Sequence, residues 1–223
     1  MTAKNRYLVL DNALDRFMLP EGRFTARFIG QPADTYWAAG GQFPASLAPY
    51  RGVLLSGSEA AVPVEQDWYA AERAIVAECL QRDIPLLGIC FGAQFMADML
   101  WGREVVSLMP APEIGWVVLR HDGDNPLFAD VPPQMVAWAC HYWGFQAEVP
   151  SLARSNAWDQ QAFQVPDCRA WGLQFHPEVE WLYGSLRNQW ERWHHRGIRL
   201  QNGGRPTAAA CRQIAANFHR LAR

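Results

Sequence analysis

The sequence predicts an α/β fold: a mostly parallel sheet flanked by helices, with an antiparallel extension. Two observations lead to this prediction. In the first half, short apolar runs alternate with segments of helical periodicity, which is typical of parallel βαβ units. In the second half, strand-like segments follow one another across short turns before the chain becomes helical again. No repeat, low-complexity tract or linker interrupts the sequence, so residues 1–223 are expected to form a single domain.

The first half alternates between the periods of strands and helices. Residues 52–56 and 84–89 are continuous apolar runs, which indicates buried strands. Residues 68–81 carry apolar and alanine positions at helical spacing. The predicted strands of this half are 7–11, 24–30, 52–56 and 84–89, and the predicted helices are 68–81 and 92–101.

The second half begins with the antiparallel extension. Six strand-like segments follow at short intervals, and two helical segments flank a polar turn at 201–206. The predicted strands are 104–109, 114–121, 135–142, 152–157, 162–165 and 171–175, and the predicted helices are 181–196 and 208–221.

Composition excludes several classes of function. Twenty Lys and Arg against 22 Asp and Glu leave a net charge of −2, so no basic surface for nucleic acid is expected. Five cysteines without a CxxC pair predict neither a disulfide framework nor a zinc site. No apolar run is long enough to cross a membrane, and no glycine-rich nucleotide loop is present. We therefore expect a soluble, cytoplasmic protein without a cofactor or metal.

The most informative segment is 88–94, Gly-Ile-Cys-Phe-Gly-Ala-Gln, between an apolar strand and a helix. A side chain on such a turn projects from the carboxyl end of the sheet, and Gly88 and Gly92 leave room for a tight backbone. Cys90 would also lie at a helix N-terminus, whose dipole favours a thiolate. Taken alone, the pattern equally fits a buried cysteine beside packing glycines.

A second segment, Gln-Phe-His-Pro-Glu at 174–178, follows another apolar strand. The carboxyl ends of parallel strands share one crevice, so His176 is expected near Cys90. A cysteine nucleophile needs a base, and the base needs an orienting acid. Glu178 is available two residues after His176.

These two segments together resemble those of the class I glutamine amidotransferases, and the resemblance covers nearly the whole chain. LLSGS at 54–58 is similar to the oxyanion loop of that family, and EIGW at 113–116 resembles its stand-alone branch, whose members are not fused to a synthase. The resemblance implies the three-layer, flavodoxin-like sheet of the family. It also implies glutamine or another γ-glutamyl compound as substrate, and an ammonia acceptor on a partner protein.

The resemblance assigns a role to each matching residue. Cys90 would attack the γ-carboxamide, His176 would activate Cys90 and protonate the leaving ammonia, and Glu178 would orient His176. The other implied residues are Ser58 and Phe91 as amide donors to the oxyanion, and Gly57, Gln94, Tyr142 and Trp143 around the substrate.

Three positions depart from the family pattern. Gly57-Ser58-Glu59 stands where two glycines, or Asn-Gly, are usual, so a left-handed backbone at Ser58 would be costly. Trp143 occupies the position, two residues after His141, where an Asp is often found. Ala93 replaces a frequent His.

Three other functions remain open from the sequence. The same residues would serve a stand-alone γ-glutamyl peptidase or hydrolase. A cysteine-bearing α/β-hydrolase would place its acid between the nucleophile and the histidine in sequence, whereas Glu178 follows His176. A non-catalytic binding module would keep the fold without the chemistry.

The remaining candidates have simpler structural explanations. His194 and His195 are adjacent on a predicted helix and point apart, so they are not a metal pair. His121, Asp122 and Asp124 fit a polar loop better than a metal site. Two further sets lie on or near the helix at 181–196: Trp181, Trp190 and Trp193, expected to pack in the core rather than bind a partner, and Arg187, Arg192, Arg196 and Arg199, expected to form a solvated face.

Overall fold

The computed structural model describes residues 5–17, 20–195 and 198–223. The strands are β1 (Arg6–Asp11), β2 (Ala33–Trp37), β3 (Tyr50–Leu55), β4 (Leu86–Ile89), β5 (Val106–Arg120), β6 (Gln134–Phe145), β7 (Ala162–Gln164), β8 (Ala170–Leu173) and β9 (Gln201–Asn202). The helices are α1 (Glu21–Ile29), α2 (Tyr69–Gln81), α3 (Phe91–Trp101), α4 (Trp181–His194) and α5 (Ala208–Leu221).

The main sheet has the strand order β2-β1-β3-β4-β8-β7. Its neighbours from β2 to β8 pair in parallel, and β7 is antiparallel at the edge. A smaller sheet, β6-β5-β9, joins β5 and β6 in antiparallel fashion. This arrangement confirms the predicted fold class. The predicted strand at 171–175 joins the parallel sheet as β8 instead of the antiparallel extension.

The alternation along the central strands separates two hydrophobic cores. Tyr7 and Val9 of β1 belong to a cluster that includes Phe218 of α5. Leu8 and Leu10 of the same strand belong to a second cluster that includes Phe95 of α3. Successive side chains of a strand point to opposite faces, so helices cover the sheet on both sides. The result is the three-layer architecture.

Residues 24–30 form a helix, and the strand predicted there is wrong. The buried residues of α1 are Glu21, Gly22, Thr25 and Ile29, at helical spacing. Only one of these four, Ile29, is a large apolar residue. The apolar residues Phe24, Ala26 and Phe28 alternate as in a strand, but none of them is among the buried residues of the helix. The strand of this region, β2, is partly exposed and lies at the sheet edge, which removes the apolar signal that predicts a buried strand.

The predicted strands at 104–109 and 114–121 are one long strand, β5. Its pairing with β6 shifts register between Leu108 and Glu113, where Pro110 and Pro112 cannot donate to the ladder. Residues 152–157 form isolated bridges at Ala153 and Arg154 in place of a regular strand.

The C-terminal helices and the segment at 121–126 match the predictions with two qualifications. The predicted helix 181–196 ends at His194 in the structure, and Arg196 lies outside the described residues. The 121–126 segment is a loop in which Asn125 accepts a hydrogen bond from the Leu127 amide at 3.0 Å.

Across the described ranges, no helix has both the length and the apolar composition needed to span a bilayer.

Candidate active site

The carboxyl ends of β4 and β8 meet at one crevice, as the sequence predicts. The two strands pair from Leu86 with Ala170 to Ile89 with Leu173. The Cys90 amide continues this pairing by donating to the Leu173 carbonyl at 2.7 Å. Cys90 and His176 therefore follow neighbouring strands into the same place, and both line a cavity of about 360 Å³.

The backbone at Cys90 is strained. Its φ of +50° and ψ of −105° lie outside the regions that non-glycine residues normally occupy. A conformation of this kind costs about 1–3 kcal/mol and persists only where the surroundings enforce it. The turn puts the thiol at the N-terminus of α3, whose dipole favours negative charge.

Two glycines enforce the turn at Cys90 through close packing. A Cβ on Gly88 would lie 2.6 Å from the Gly92 backbone, and a Cβ on Gly92 would lie 2.6 Å from the Leu55 Cβ and carbonyl oxygen. The Gly92 amide also donates to the Ser56 carbonyl at 3.2 Å. Both positions therefore require glycine, and they tie the turn to the end of β3.

His176 contacts both Cys90 and Glu178. Its Nδ1 lies 2.7 Å from Oε1 of Glu178, and it lines the same cavity as the Cys90 thiol. Burial alone lowers the pKa of His176, but the charges of Glu178 and Cys90 outweigh burial and hold that pKa well above its ordinary value. The His176 amide donates to the Trp138 carbonyl at 2.7 Å, which anchors the loop to β6. A buried imidazole with a raised pKa beside a thiol is suited to passing a proton to a leaving group.

Glu21 is a second buried carboxylate at His176, and no sequence motif indicates it. Its Oε2 lies 3.8 Å from Nδ1 of His176 and has no hydrogen-bond partner within the described ranges. Burial raises the pKa of Glu21 to about 7, against the opposing charge of His176. The strand predicted at 24–30 gives no sign that a helix begins at residue 21. In the structure α1 follows β1, and its first turn lies at the same crevice as Cys90 and His176.

Glu21, His176 and Glu178 have ligand atoms within 4.8 Å of one another. This trio could hold a cation. A cation on Nδ1 would displace the hydrogen bond between His176 and Glu178, so such a site would compete with the arrangement described above.

The predicted oxyanion residues lie beside Cys90. Ser58 lines the cavity, and its Oγ accepts a hydrogen bond from the Ala60 amide at 3.0 Å. Ser58 is not among the non-glycine residues with positive φ in the described ranges, so its backbone avoids the costly left-handed conformation. Phe91 packs its ring into the core, while its amide begins α3 directly after Cys90. A Cβ on Gly57 would lie 2.9 Å from Cε1 of His176, so that turn requires glycine for close approach.

Three of the four residues predicted around the substrate line the cavity, and Gly57 is not among its lining residues. Gln94, Tyr142 and Trp143 all contribute to its wall. The Gln94 side-chain amide donates to the Trp143 carbonyl at 2.7 Å and to Oε1 of Gln174 at 3.2 Å. His141 shares its ring nitrogens between Glu113 and the Trp143 carbonyl, at 3.2 and 3.1 Å. These contacts fix the backbone at Trp143.

Cys140 is the second thiol on the cavity wall. Burial, and then the charge of Glu191, raise the pKa of Cys140 well above its ordinary value. A thiol that stays protonated is a poor nucleophile. Cys140 therefore does not compete with Cys90.

One side of the cavity was not predicted. It consists of Arg187, Trp190, Glu191 and His195, which we call the α4 wall. The expectation of a solvated arginine face is wrong for Arg187, whose side chain is only 13% exposed. His195 likewise lines the cavity.

The tryptophans of α4 do not form the expected core packing. Trp193 is 86% exposed and Trp181 is 41% exposed. Trp190 stacks on His194 at the cavity wall, with ring centroids 4.0 Å apart. Helical spacing alone does not distinguish an apolar stripe that faces the core from one that faces outward.

The chain is similar to known proteins over much of its length. The family described as "Glutamine amidotransferase class-I" matches residues 42–181. A GMP synthase (glutamine-hydrolyzing) of Bacillus subtilis is 34% identical over 133 residues, which are 58% of this chain and 24% of the relative. The chain thus matches a small part of the length of this relative.

Solved structures resemble the fold over its full length. A glutamine amidotransferase from Thermotoga maritima has a TM-score of 0.79 at 21% identity, and the match covers 99% of each chain. A protein from Thermoplasma acidophilum, described as a putative component of GMP synthase, has a TM-score of 0.70 at 21% identity, covering 100% of this chain and 96% of that chain. At these identities the likeness concerns the fold.

Proposed function

Because the chain belongs to the class I glutamine amidotransferase family, we propose that it hydrolyses the glutamine side-chain amide to glutamate and ammonia for an acceptor. The observation that supports this proposal best is the contact of Cys90, His176 and Glu178 at one end of the cavity. A strained cysteine, a hydrogen-bonded imidazole and a buried carboxylate are the parts that acyl transfer from an amide requires. We also propose that residues 1–223 form one domain of this family.

In the proposed reaction, His176 takes the thiol proton of Cys90 as the sulfur attacks the γ-carbonyl carbon, and a tetrahedral intermediate forms. The amides of Ser58 and Phe91 would stabilise its oxyanion. The C–N bond breaks as His176 gives a proton to the nitrogen, so ammonia leaves and a γ-glutamyl thioester remains. Water then attacks the thioester while His176 takes its proton, the C–S bond breaks, and glutamate and the Cys90 thiol are released.

Glu178 acts through His176 in this scheme. Its 2.7 Å contact with Nδ1 would hold the ring so that the other nitrogen faces Cys90. Gln94 links α3 to the Trp143 carbonyl, and with Gly57, Tyr142 and Trp143 it would surround the substrate.

A stand-alone γ-glutamyl peptidase or hydrolase is the second candidate. Trp143 on the cavity wall favours it, because an aromatic side chain replaces the Asp that the family often carries there. The same thioester chemistry would then act on a γ-glutamyl peptide bond, with an amine as leaving group.

We propose a synthase as the ammonia acceptor, in the cytoplasm. The Bacillus subtilis relative is a synthase, and the aligned part is 24% of its length. On the outward side of α4, Leu182, Leu186 and Trp193 are 71%, 57% and 86% exposed, an apolar face suited to a protein partner. No disulfide joins the cysteines in the part of the chain that the structure describes, which is consistent with a reducing compartment.

The test is release of ammonia and glutamate from glutamine by the wild type and by Cys90→Ser. The loss expected in Cys90→Ser is at least about 10⁴-fold, because the nucleophile is removed. Cys168→Ser is the matched control, since Cys168 does not line the cavity. Circular dichroism and melting temperature would show that both variants fold.

A second assay works without a partner. A chloroketone analogue of glutamine should alkylate Cys90, as read by mass spectrometry. Cleavage of γ-glutamyl peptides without turnover of glutamine would replace the amidotransferase with the peptidase. If Cys90 reacts with neither substrate and is not alkylated by the chloroketone, a non-catalytic binding module would be the remaining function.

A further inference from the structure

The α4 wall carries a buried ion pair at the cavity. Arg187 Nη2 donates to Oε1 of Glu191 at 2.7 Å, and the two side chains are 13% and 2% exposed. Removing two charges from water costs several kcal/mol, and their mutual attraction does not always repay it. Since the Arg187–Glu191 pair lines the cavity, we look for a role in ligand binding besides helix stability.

The pair has unused hydrogen-bonding groups. Oε2 of Glu191, Nε of Arg187 and the hydroxyl of Tyr142 are buried and have no hydrogen-bond partner among the residues that the structure describes. Nε2 of His195 lies 3.6 Å from Glu191 Oε2, beyond ordinary hydrogen-bond length. Buried polar groups in folded proteins are normally satisfied, so these three groups are available to hydrogen-bond a ligand in the cavity.

Strand β6 runs from the side of His176 to this cluster. Trp138, Cys140 and Tyr142 are alternate residues on one face, and consecutive members are separated by about 7 Å along the strand. The Trp138 ring lies 5.1 Å from the His176 ring, whereas the Cys140 sulfur lies 3.8 Å from Glu191 Oε1.

This spacing fits an amino acid joined through its side-chain amide. The reacting carbonyl of glutamine is three carbon–carbon bonds from its α-carbon, a span of roughly 4 Å. A carbonyl held beside Cys90 and His176 therefore places the α-carbon and its substituents towards Cys140 and Glu191.

The charges of the cavity favour an ammonium group. Glu21, Glu59 and Glu191 line it, and Arg187 is the one arginine or lysine among its described lining residues. A ligand with a cation and an anion on the same carbon would match the paired carboxylate and guanidinium of α4. An acidic ligand without an ammonium group would meet three carboxylates.

We propose that Glu191 binds the α-ammonium group of the γ-glutamyl substrate and that Arg187 binds its α-carboxylate. The inference rests on the proposed function and names the groups that select the substrate. Trp143 of β6 stands where the family often has an Asp. In this proposal, residues of α4 bind the α-substituents of the substrate instead. The alternative is an ion pair that only stabilises the helix.

The experiment compares two alkylating probes of Cys90 that differ in one group. The first is the chloroketone analogue of glutamine, and the second is the same molecule without its α-amino group. Wild type should react at least about tenfold faster with the amino probe, equivalent to about 1.4 kcal/mol. Glu191→Gln should lower that rate about tenfold and leave the deamino probe unchanged.

Two controls separate recognition from reactivity. Iodoacetamide, which has neither α-substituent, should alkylate Cys90 equally in wild type and Glu191→Gln. Glu180→Gln removes the same charge at the N-terminal end of α4, where Glu180 is 63% exposed and pairs with Arg27, and should behave as wild type.

Equal slowing of both chloroketones in Glu191→Gln would overturn the inference and leave a structural ion pair. A wild type that shows no preference for the amino probe would also overturn it, without any variant. If Glu191→Gln does not fold, Arg187→Lys provides the test. It should slow alkylation by the amino probe more than alkylation by the α-carboxamide form of that probe, because lysine lacks the planar guanidinium that would bind the α-carboxylate. Failure of both chloroketones on wild type, with iodoacetamide still reacting, would instead reject the proposed function itself.

Discussion

The turn at Cys90 and the α4 wall line the same cavity but are built in different ways. The turn is set by backbone geometry: a positive φ at Cys90 and glycines at 88 and 92 that leave no space for a Cβ. The α4 wall is set by long side chains, with Arg187 and Glu191 held by each other. The proposed nucleophile thus depends on local sequence, while the groups proposed to select the substrate come from a distant helix.

The largest effect should come from breaking the His176 contact that completes the turn. Glu178→Gln keeps the size of the side chain but removes the charge that orients His176 at 2.7 Å. We expect kcat to fall by about 10²–10⁴-fold with little change in KM. Steady-state kinetics would check this. Unchanged kcat would point to an acid elsewhere in the chain, as in the α/β-hydrolase alternative.

A smaller effect should follow from filling the space behind the turn. In Gly92→Ala the new Cβ would lie 2.6 Å from Leu55, so β3 or α3 must shift. We expect a loss of about 1–3 kcal/mol in the free energy of unfolding, together with loss of activity. Urea denaturation would measure it.

The control for Gly92→Ala is Gly30→Ala. Gly30 has φ of +62° and nothing within 4 Å of the added Cβ, so only backbone strain changes there. Loss of activity in Gly30→Ala as well would mean that the effect at Gly92 is not specific to the turn.

The smallest effect concerns Glu21, whose carboxylate adjoins the turn and whose pKa is raised to about 7 by burial. Between pH 4.5 and about 7 the folded protein keeps a proton that the unfolded chain has released, so stability falls as pH rises through this window. Glu21→Gln should remove this fall, an effect of about 2–3 kcal/mol between pH 5 and pH 8.

Melting temperatures at pH 5 and pH 8 would check the Glu21 prediction. The exposed Glu148→Gln serves as the control and should follow wild type at both values. A Glu21→Gln melting temperature that falls as steeply as that of wild type would show that Glu21 ionises normally in the folded protein.

The parts of the fold with a strong apolar period were predictable. Strands β3, β4 and β8 are fully or nearly fully buried, so their apolar runs are uninterrupted. Helix α1 was missed because it buries a glutamate, a glycine and a threonine, and β2 was missed because its residues are partly exposed. Sequence patterns report burial, and these two elements bury little apolar surface.

The candidate site divides in the same way. Cys90, His176 and Glu178 follow buried strands in short motifs, so the topology of a parallel sheet brings them together. Glu21 and Glu191 carry no local motif. Each is a carboxylate on a helix, and only packing against β1 and β6 turns it towards the cavity.

The sequence by itself determined the sheet class, the strained cysteine turn and the order of Cys90, His176 and Glu178, because each depends on residues that are neighbours in the chain. The tertiary structure alone decided which face of α4 lines the cavity and which faces outward. That choice depends on how a helix packs against a strand some 50 residues earlier, as in the hydrogen bond from Trp138 to Asn188, and no period in the sequence records it.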